Sequence, residues 1–320
     1  DELMALCDQL EQQTECSLDA HNLLVDTLLS TLTDAHNANE LSDNWVRLAD
    51  HFDTLITTDY AAEQLKQTIL QLAVQGELVP QDPSDEPASE LLKRIEAEQN
   101  RLVEQENLKT KANYTILRKD QWLCVPHTWR NLRLGNLAKF IDYRGKTPTK
   151  LSKGVRLITA KNVRFGYISL QPEEFISREE YVSWMTRGFP KIGDILFTPE
   201  APLGNVAIVN IEEEFALAQR AICFQLHESK CVEFLRIIIM SKPFQEQLIL
   251  NATGMAAAGI KASKLKEIVI PIPPLNEQHR IVAKVDELMT LCDQLKTRLI
   301  DAQSTQLHLS NLVADNALEV

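Results

Sequence analysis

The chain has 320 residues, of which 44% are hydrophobic, so it is long enough for two domains or for one domain with long appended helices. Its longest apolar runs, such as residues 268–272, are far too short to cross a bilayer, so neither a membrane span nor a membrane partner is predicted. The six cysteines form no C-x-x-C pair. The sequence therefore predicts neither a disulfide framework nor a zinc site, and it favours a reducing, cytoplasmic location.

The net charge of −12 is unevenly distributed along the chain. Residues 1–113 hold 7 basic and 23 acidic residues, and residues 276–320 hold 4 and 7, whereas residues 114–275 hold 22 and 15. Attraction of phosphate depends on the local field rather than on the total charge. A basic central block between acidic ends therefore favours a nucleic-acid partner, although ordinary variation of charge between domains would give the same pattern.

The first third of the chain has the spacing of amphipathic helices. One long helix is predicted at the start, a second stretch follows it, and a third helix covers residues 61–75 with Leu65, Ile69 and Leu72 on one face. Gly76 is typical of the residue that follows a helix end. The proline-rich segment 79–87 predicts a loop, and a charged helix is expected over residues 88–108.

From Trp122 onward, short apolar runs broken by Gly and Pro predict the strands of a compact, mixed α/β domain. The clearest of these runs are residues 155–159, 194–198 and 206–211. Residues 232–241 and 242–250 are predicted to be helical. An extended segment over residues 268–274 then leads into a C-terminal helix.

The two ends of the chain carry nearly the same ten residues. Residues 1–10 read DELMALCDQL and residues 286–295 read DELMTLCDQL, so nine of ten positions match, which indicates duplication rather than a generic helical bundle. Apolar or small residues recur at alternating intervals of three and four, the spacing of a heptad seam. We therefore predict that the two helices pack as an antiparallel pair. The predicted pairing residues are Leu3, Cys7, Leu10, Leu288, Cys292, Leu295 and Leu299.

Six sequence segments, two in the helical parts and four in the central block, are similar to segments of a known protein family. Residues 270–286 read IPIPPLNEQHRIVAKVD, and residues 65–95 form a second long string. The four central strings are residues 144–148 (RGKTP), 193–198 (GDILFT), 204–209 and 253–264. Together these segments resemble the specificity subunits of type I restriction-modification enzymes, and the central strings resemble landmarks of their target recognition domains. The resemblance covers essentially the whole chain.

The resemblance implies an α+β fold, with one mixed α/β target recognition domain and long antiparallel coiled-coil helices. Residues 1–113 would be a conserved helical region, residues 114–275 the recognition domain, and residues 276–320 the C-terminal conserved helix. Family members run recognition domain, helix, recognition domain, helix, so the first recognition domain is missing here. Because residue 1 already lies within a helical pattern, we expect either a fragment cut within a helix or a chain that lacks its upstream half.

The resemblance also implies a division of labour between subunits. The chain would bind double-stranded DNA at one half-site and dock methylation subunits, through which restriction and motor subunits join. S-adenosylmethionine, ATP and Mg²⁺ would belong to those partners, so no cofactor is expected on this chain. Two copies could pair as a homodimer through their helices and read a gapped palindrome.

Residues 143–164 give the densest signal for DNA contact, because they contain seven basic side chains and no acid. Arg and Lys read guanine edges and Asn or Gln reads adenine, although most such contacts go to phosphates. A solvated loop is the alternative interpretation. The predicted DNA-contact residues are Tyr143, Arg144, Lys146, Thr147, Lys150, Lys153, Arg156, Lys161, Asn162 and Arg164, with Gln219, Arg220, Lys261 and Lys264 of second rank. Trp122, Trp129 and Trp184 are expected to be core anchors.

The sequence gives little support for catalysis by this chain. It has no phosphate-binding G-x-x-x-x-G-K-[ST] loop and no amino-methyltransferase motif. A nuclease site could be built from Asp194 and Glu200 with Lys261 or Lys264, but the pattern is weak. Glu277 and His279 fit helix-capping and surface positions. A stand-alone methyltransferase and a coiled-coil scaffold for protein binding remain the competing hypotheses.

Overall fold

The protein forms two compact units in the computed structural model, which describes residues 2–35, 37–105, 116–143, 148–218, 220–254 and 258–318. The first unit comprises Asp1–Leu72 and Lys284–Val320, and the second comprises Ala73–Ala283. The sequence places domain boundaries after residues 113 and 275, whereas the division by packing falls after residues 72 and 283. The proline-rich linker and the charged helix that follows it therefore belong to the second unit.

Helices supply most of the first unit and alternate with strands in the second. In chain order they are α1 (Glu2–Thr33), α2 (Ala38–Asp50), α3 (Phe52–Leu55), α4 (Asp59–Gln75), α5 (Ala88–Gln105), α6 (Leu134–Leu137), α7 (Arg178–Trp184), α8 (Val232–Met240), α9 (Lys242–Asn251), α10 (Ala262–Glu267) and α11 (Leu275–Leu318). Of these, α4 and α11 run from one unit into the other. No helix in the described part of the chain combines the length and apolar character that a bilayer span requires.

The C-terminal third of α1 packs against the short helices that follow it. Val25, Leu29 and Leu32 lie at intervals of four and three on one face of α1, and all three are buried. Asn44 of α2 donates from Nδ2 to the carbonyl oxygen of Thr31 at 2.7 Å. This bond ties the two helices together beside their apolar contact.

Ion pairs join α4 to the second repeat copy on α11. Lys66 lies 2.6 Å from Asp293, and Lys296 lies 2.9 Å from both Asp59 and Glu63. Positions rise along α4 as they fall along α11, so the two helices run antiparallel. Their facing stripes are apolar. Leu65, Ile69, Leu72, Val285 and Cys292 are buried, and Leu288, Leu295 and Leu299 are half-buried.

The predicted pairing of the two repeat copies is wrong within one chain. Cys7 and Leu10 are exposed, Leu10 by 56%, and all other described side chains of residues 2–20 are exposed as well. The side chain of Leu3 lies outside the described part of the chain. The seam on α11 was predicted correctly, but its partner is α4. Both α1 and α4 present apolar stripes of helical period, and the period alone does not select between them.

Three sheets are present among the described residues of the second unit. The strands are β1 (Arg130–Arg133), β2 (Ala138–Asp142), β3 (Val155–Ile158), β4 (Phe175–Ile176), β5 (Ile195–Pro199), β6 (Leu203–Ile208), β7 (Phe215–Leu217), β8 (Ile222–Leu226) and β9 (Val269–Ile272). β1 pairs with β9, and a four-stranded antiparallel sheet has the order β2-β8-β5-β6. In the third sheet, β3 lies antiparallel to β4 and parallel to β7.

The core of the second unit explains why its strands could be predicted. All five residues of β5 are buried, and the apolar runs expected at residues 155–159, 194–198 and 206–211 correspond to β3, β5 and β6. A strand buried on both faces is a short continuous apolar run rather than an alternating one. The predicted α+β fold with long helices is confirmed.

Gly76 ends α4 as expected. Its φ is +81°, in the region where glycine is favoured because it lacks a Cβ. A Cβ there would also lie 2.6 Å from Cγ of Pro126. Two constraints therefore require glycine at this position, and only the first could be foreseen from the sequence.

Candidate nucleic-acid interface

Basic side chains from two segments that are far apart in sequence line one pocket of the second unit, and a third basic segment lies close to it. Lys150, Lys161 and Arg220 line this pocket, which has a volume of about 210 Å³. The remaining lining is mostly small or apolar: Leu157, Thr159, Ala160, Ala201 and Ala218. The pocket therefore combines an uncharged wall with a basic rim.

Parallel strands bring the first two segments together. Ile158 and Leu217 are in register at the carboxyl ends of β3 and β7, and the amide of Ala218 donates to the carbonyl oxygen of Ile158 at 2.8 Å. Because both chains leave the sheet at the same edge, the residues after β3 and those after β7 become neighbours. Lys161 and Arg220 consequently share a pocket although the sequence separates them widely.

The end of β5 brings in the third segment. Glu200 forms a β-bridge with Gly259, and the amide of Ile260 donates to the carbonyl oxygen of Pro199 at 2.9 Å. A Cβ on Gly259 would lie 3.1 Å from Cβ of Glu200, so the approach is close enough to favour glycine. The next residue, Lys261, occupies the position before the first residue of α10 and is exposed.

Several predicted contact residues have side chains available to a ligand. Lys153, Lys161, Arg164 and Lys261 are exposed, and none has a carboxylate partner within the described residues. Lys150 is also partly exposed but pairs at 2.7 Å with Glu174, whose side chain is 16% exposed, and Lys264 forms an exposed ion pair with Glu267 at 2.9 Å. Such exposed pairs are weak and can exchange partners. DNA contact by these residues stays a prediction.

Three predicted contact residues are structural instead. Tyr143 is 5% exposed, donates from its hydroxyl to the carbonyl oxygen of Gly188 at 2.8 Å, and accepts from the amide of Arg187 at 2.7 Å. Burial raises the pKa of its hydroxyl. Asn162 is 1% exposed, and its side-chain amide forms hydrogen bonds within the loop after β3, where Oδ1 accepts from the Thr159 amide at 2.9 Å. The prediction that these two side chains contact DNA directly is therefore wrong.

Arg156 is the third of these residues. It lies on β3 with its side chain 13% exposed, 2.5 Å from Glu213 and 3.3 Å from Glu173. Its guanidinium also stacks over the ring of Phe175, 5.3 Å from the centroid. The hydrogen bond to Glu213 raises the pKa of Arg156 above its already high usual value. Two carboxylates thus neutralise a side chain that the sequence assigned to DNA.

Four predicted contact residues, Arg144, Lys146, Thr147 and Gln219, lie outside the described residues. Arg220 is described and is 58% exposed, with Nε 3.3 Å from Oε1 of Glu200. Glu200 entered the sequence argument only as part of a weak nuclease pattern. Its pairing with Arg220 depends on strand packing, and no local signal could have indicated it.

Three of the residues considered for catalysis, Asp194, Glu200 and Lys264, have structural partners. Oδ2 of Asp194 accepts from the Lys191 amide and from Nε2 of Gln225, both at 2.7 Å, and burial raises the pKa of this carboxyl. Asp194 therefore holds the turn that leads into β5. Across the described ranges, no group of three or more His, Cys, Asp or Glu side chains is placed to hold a metal ion.

Glu277 is another residue that the sequence misplaced. It was expected at the surface, but it is 1% exposed, and its Oε1 accepts from Nε1 of Trp129 at 2.8 Å and from Nε2 of Gln81 at 2.5 Å. Burial raises the pKa of its carboxyl. The core role expected for the tryptophans is confirmed for Trp129, which is buried. Nε1 of the half-buried Trp122 donates to the carbonyl oxygen of Val269 at 2.7 Å.

Comparison with known proteins places the chain in a family of DNA-specificity proteins. The family model for the type I restriction modification DNA specificity domain matches residues 126–302, more than half of the chain, so the chain belongs to that family. The match begins just before β1 and extends into α11. It therefore includes all nine strands and the pocket described above.

Two curated relatives from Escherichia coli match over nearly the whole chain. It is 38% identical to the type I restriction enzyme EcoAI specificity subunit and 37% identical to the EcoEI specificity subunit, in each case over 99% of this chain and 55% of the relative. The chain thus spans about half the length of these relatives. Among solved structures it is similar to the HsdS subunit from Thermoanaerobacter tengcongensis, with 20% identity, a TM-score of 0.42, and coverage of 74% of this chain and 51% of that one.

Proposed function

We propose that this chain is the DNA-specificity component of a type I restriction-modification complex and performs no catalysis of its own. One observation carries the proposal: the pocket after β3 and β7 is lined by Lys150 and Lys161 from one basic segment and by Arg220 from another, and the β-bridge between Glu200 and Gly259 brings a third basic segment close to it. The names of the relatives, which are specificity subunits, support the same function. Basic side chains attract the DNA backbone, and base-edge contacts then select the sequence.

A salt titration of duplex binding tests this proposal. We expect the triple variant Lys153→Glu, Lys161→Glu, Arg164→Glu to bind DNA more weakly and to have a flatter plot of log affinity against log salt. Each phosphate contact contributes about 0.9 to that slope. Lys230→Glu is the matched control for the single variant Lys161→Glu, because both reverse one charge. Lys230 is exposed and follows β8, whereas Arg220 precedes β8, so Lys230 lies at the end of that strand away from the pocket.

Equal loss of binding in Lys161→Glu and Lys230→Glu would indicate nonspecific charge attraction rather than an interface. Wild-type protein that binds no duplex, alone or with a methylation subunit, would refute the proposal and favour the coiled-coil scaffold. We propose that methylation subunits dock on the helices, and that restriction and motor subunits join through them. S-adenosylmethionine, ATP and Mg²⁺ would be bound by those partners.

We further propose that two copies pair through their helices. The first repeat copy on α1 exposes Met4, Leu6 and Leu10, although the nearly identical second copy is partly buried against α4. The far end of α11 exposes apolar side chains as well, namely Ile300, Leu307, Leu309 and Leu312. Exposed apolar surface of this extent indicates a partner. A symmetric pair would read two copies of one half-site, that is, a gapped palindrome.

Sedimentation and DNA selection test the pairing separately. We expect Leu6→Glu with Leu10→Glu to shift a dimer to a monomer in analytical ultracentrifugation. Selection from randomised duplexes, with the chain bound to its methylation subunit, should yield a gapped palindrome for the wild type. A single short half-site would retain the specificity function and refute the pairing.

A further inference from the structure

The ion pair between Arg220 and Glu200 lies at the basic pocket. Arg220 lies in the short connection between β7 and β8, and its neighbours on either side of the described connection, Ala218 and Ala221, are buried. The backbone is therefore anchored in the core while the arginine side chain is 58% exposed. An exposed side chain on a fixed backbone is suited to positional recognition.

The backbone at this point is held in an unfavourable conformation. Arg220 has φ +65° and Ala201, across the pocket, has φ +45°, and these are the non-glycine residues with positive φ among those described. Such a conformation costs free energy for a residue with a Cβ and favours glycine. Both residues line the same pocket. Strain of this kind tends to accumulate at functional sites, where the surrounding structure enforces it.

Glu200 pairs with the guanidinium of Arg220, and 58% of the arginine side chain remains exposed. The contact is made by Nε, which lies 3.3 Å from Oε1 of Glu200, and Glu200 is itself tied to Gly259 through a β-bridge. No other carboxylate pairs with Arg220 among the described residues. Its two terminal nitrogens, Nη1 and Nη2, form the planar fork that matches two acceptors at once.

We propose that Arg220 reads a guanine in the recognised half-site and that Glu200 is the positioning residue for this contact. Nη1 and Nη2 would donate to O6 and N7 of the guanine in the major groove, the base edge that arginine matches in bidentate geometry. The rim cations Lys150 and Lys161 would contact the flanking phosphates. The inference depends on the proposed DNA-binding function and adds a base and the residues that select it.

Competition binding with four duplexes tests the inference. The duplexes differ only at one base pair, chosen as a G·C position of the sequence selected by the full chain with its methylation subunit. We expect the wild type to prefer G·C at one such position by roughly ten- to hundredfold, and Arg220→Lys, which lacks the planar fork, to weaken that preference there alone. The salt slope should stay unchanged, because lysine keeps the charge. Glu200→Gln should weaken the same preference without lowering affinity for the other three duplexes.

Arg220→Gly is the control for folding. Glycine adopts φ +65° without strain, so this variant should melt at or above the temperature of the wild type while losing the preference for guanine. Uniform loss of affinity across all four duplexes would assign Arg220 to a phosphate and overturn the inference, as would an unchanged preference in these variants. Both results leave DNA binding intact, whereas a wild type that selects no sequence would overturn the proposed function and this inference together.

Discussion

The buried carboxyl of Glu277 provides a quantitative test of the second unit. Its Oε1 accepts from Nε1 of Trp129 and Nε2 of Gln81, and Trp129 is itself buried. Glu277→Ala removes that acceptor and leaves the indole N–H without a partner, which costs about 1–3 kcal/mol. The side-chain volume lost adds about 1 kcal/mol, and relief of carboxylate desolvation offsets part of the total. We expect a net loss of about 2–3 kcal/mol in the free energy of unfolding.

Glu277→Gln is the matched control, because its carbonyl oxygen can accept both hydrogen bonds. We expect it to change the free energy of unfolding by less than about 1 kcal/mol at neutral pH. The two variants share the loss of charge and differ in the acceptor. The difference between them therefore isolates the hydrogen bonds from the electrostatics.

Titration of Glu277 adds a pH dependence of known sign. Burial raises the pKa of this carboxyl in the folded protein above its value in the unfolded chain, which is about 4.3. Proton binding then favours the folded state, fully below the unfolded pKa and progressively less as pH rises through the folded pKa. The wild type should therefore lose stability relative to Glu277→Gln between about pH 4 and neutral pH.

Urea unfolding followed by tryptophan fluorescence, at pH 5 and at pH 7.5, measures both effects. The midpoint should fall for Glu277→Ala at both pH values. Equal midpoints for Glu277→Ala and Glu277→Gln would show that the hydrogen bonds to Glu277 add no stability. A gain in stability of the wild type over Glu277→Gln as the pH is raised would show that the pKa of Glu277 is not raised by folding.

Three further predictions test the packing elsewhere. Gly76→Ala should cost about 2–3 kcal/mol in urea unfolding, because its φ is positive and a Cβ would meet Pro126, whereas the exposed neighbour Glu77→Ala should be nearly neutral. Asn162→Ala should lower the melting temperature and leave the DNA affinity of the folded protein unchanged, since its amide serves only the fold; reduced affinity at unchanged melting temperature would restore it as a contact. In the Leu6→Glu, Leu10→Glu variant, which should be monomeric, a disulfide reagent should modify three thiols rapidly and three only after unfolding, because burial raises the pKa of each protected thiol, to about 12 for Cys231. The rapid set is Cys7, Cys16 and Cys124, the slow set is Cys223, Cys231 and Cys292, and mass spectrometry of the labelled peptides assigns them.

The features that the sequence determined by itself are those that depend on residues close together in the chain. Helical period, the glycine after α4 and continuous apolar runs at β3, β5 and β6 depend on contacts within one element. The basic character of the central block is likewise a property of composition. For these reasons the α+β fold, the seam on α11 and the three basic segments could all be predicted.

The tertiary structure decided which side chains of those segments are available. Arg156 is neutralised by Glu213, which is 57 residues away, and Asn162 closes the loop after β3, so two polar side chains that look suitable for DNA are consumed by the fold. Conversely, Arg220 reaches the side of Lys161 only because β3 and β7 are parallel neighbours. Pairing between strands remote in sequence has no local signature.

The partner of α11 illustrates the same division. The sequence correctly identified its apolar seam, but two other helices, α1 and α4, carry stripes of the same period. Lys66 with Asp293, and Lys296 with Asp59 and Glu63, place α4 on that seam and leave the first repeat copy exposed. A periodic pattern specifies which face of a helix is buried, and only the three-dimensional fit of charges and side chains selects what covers it.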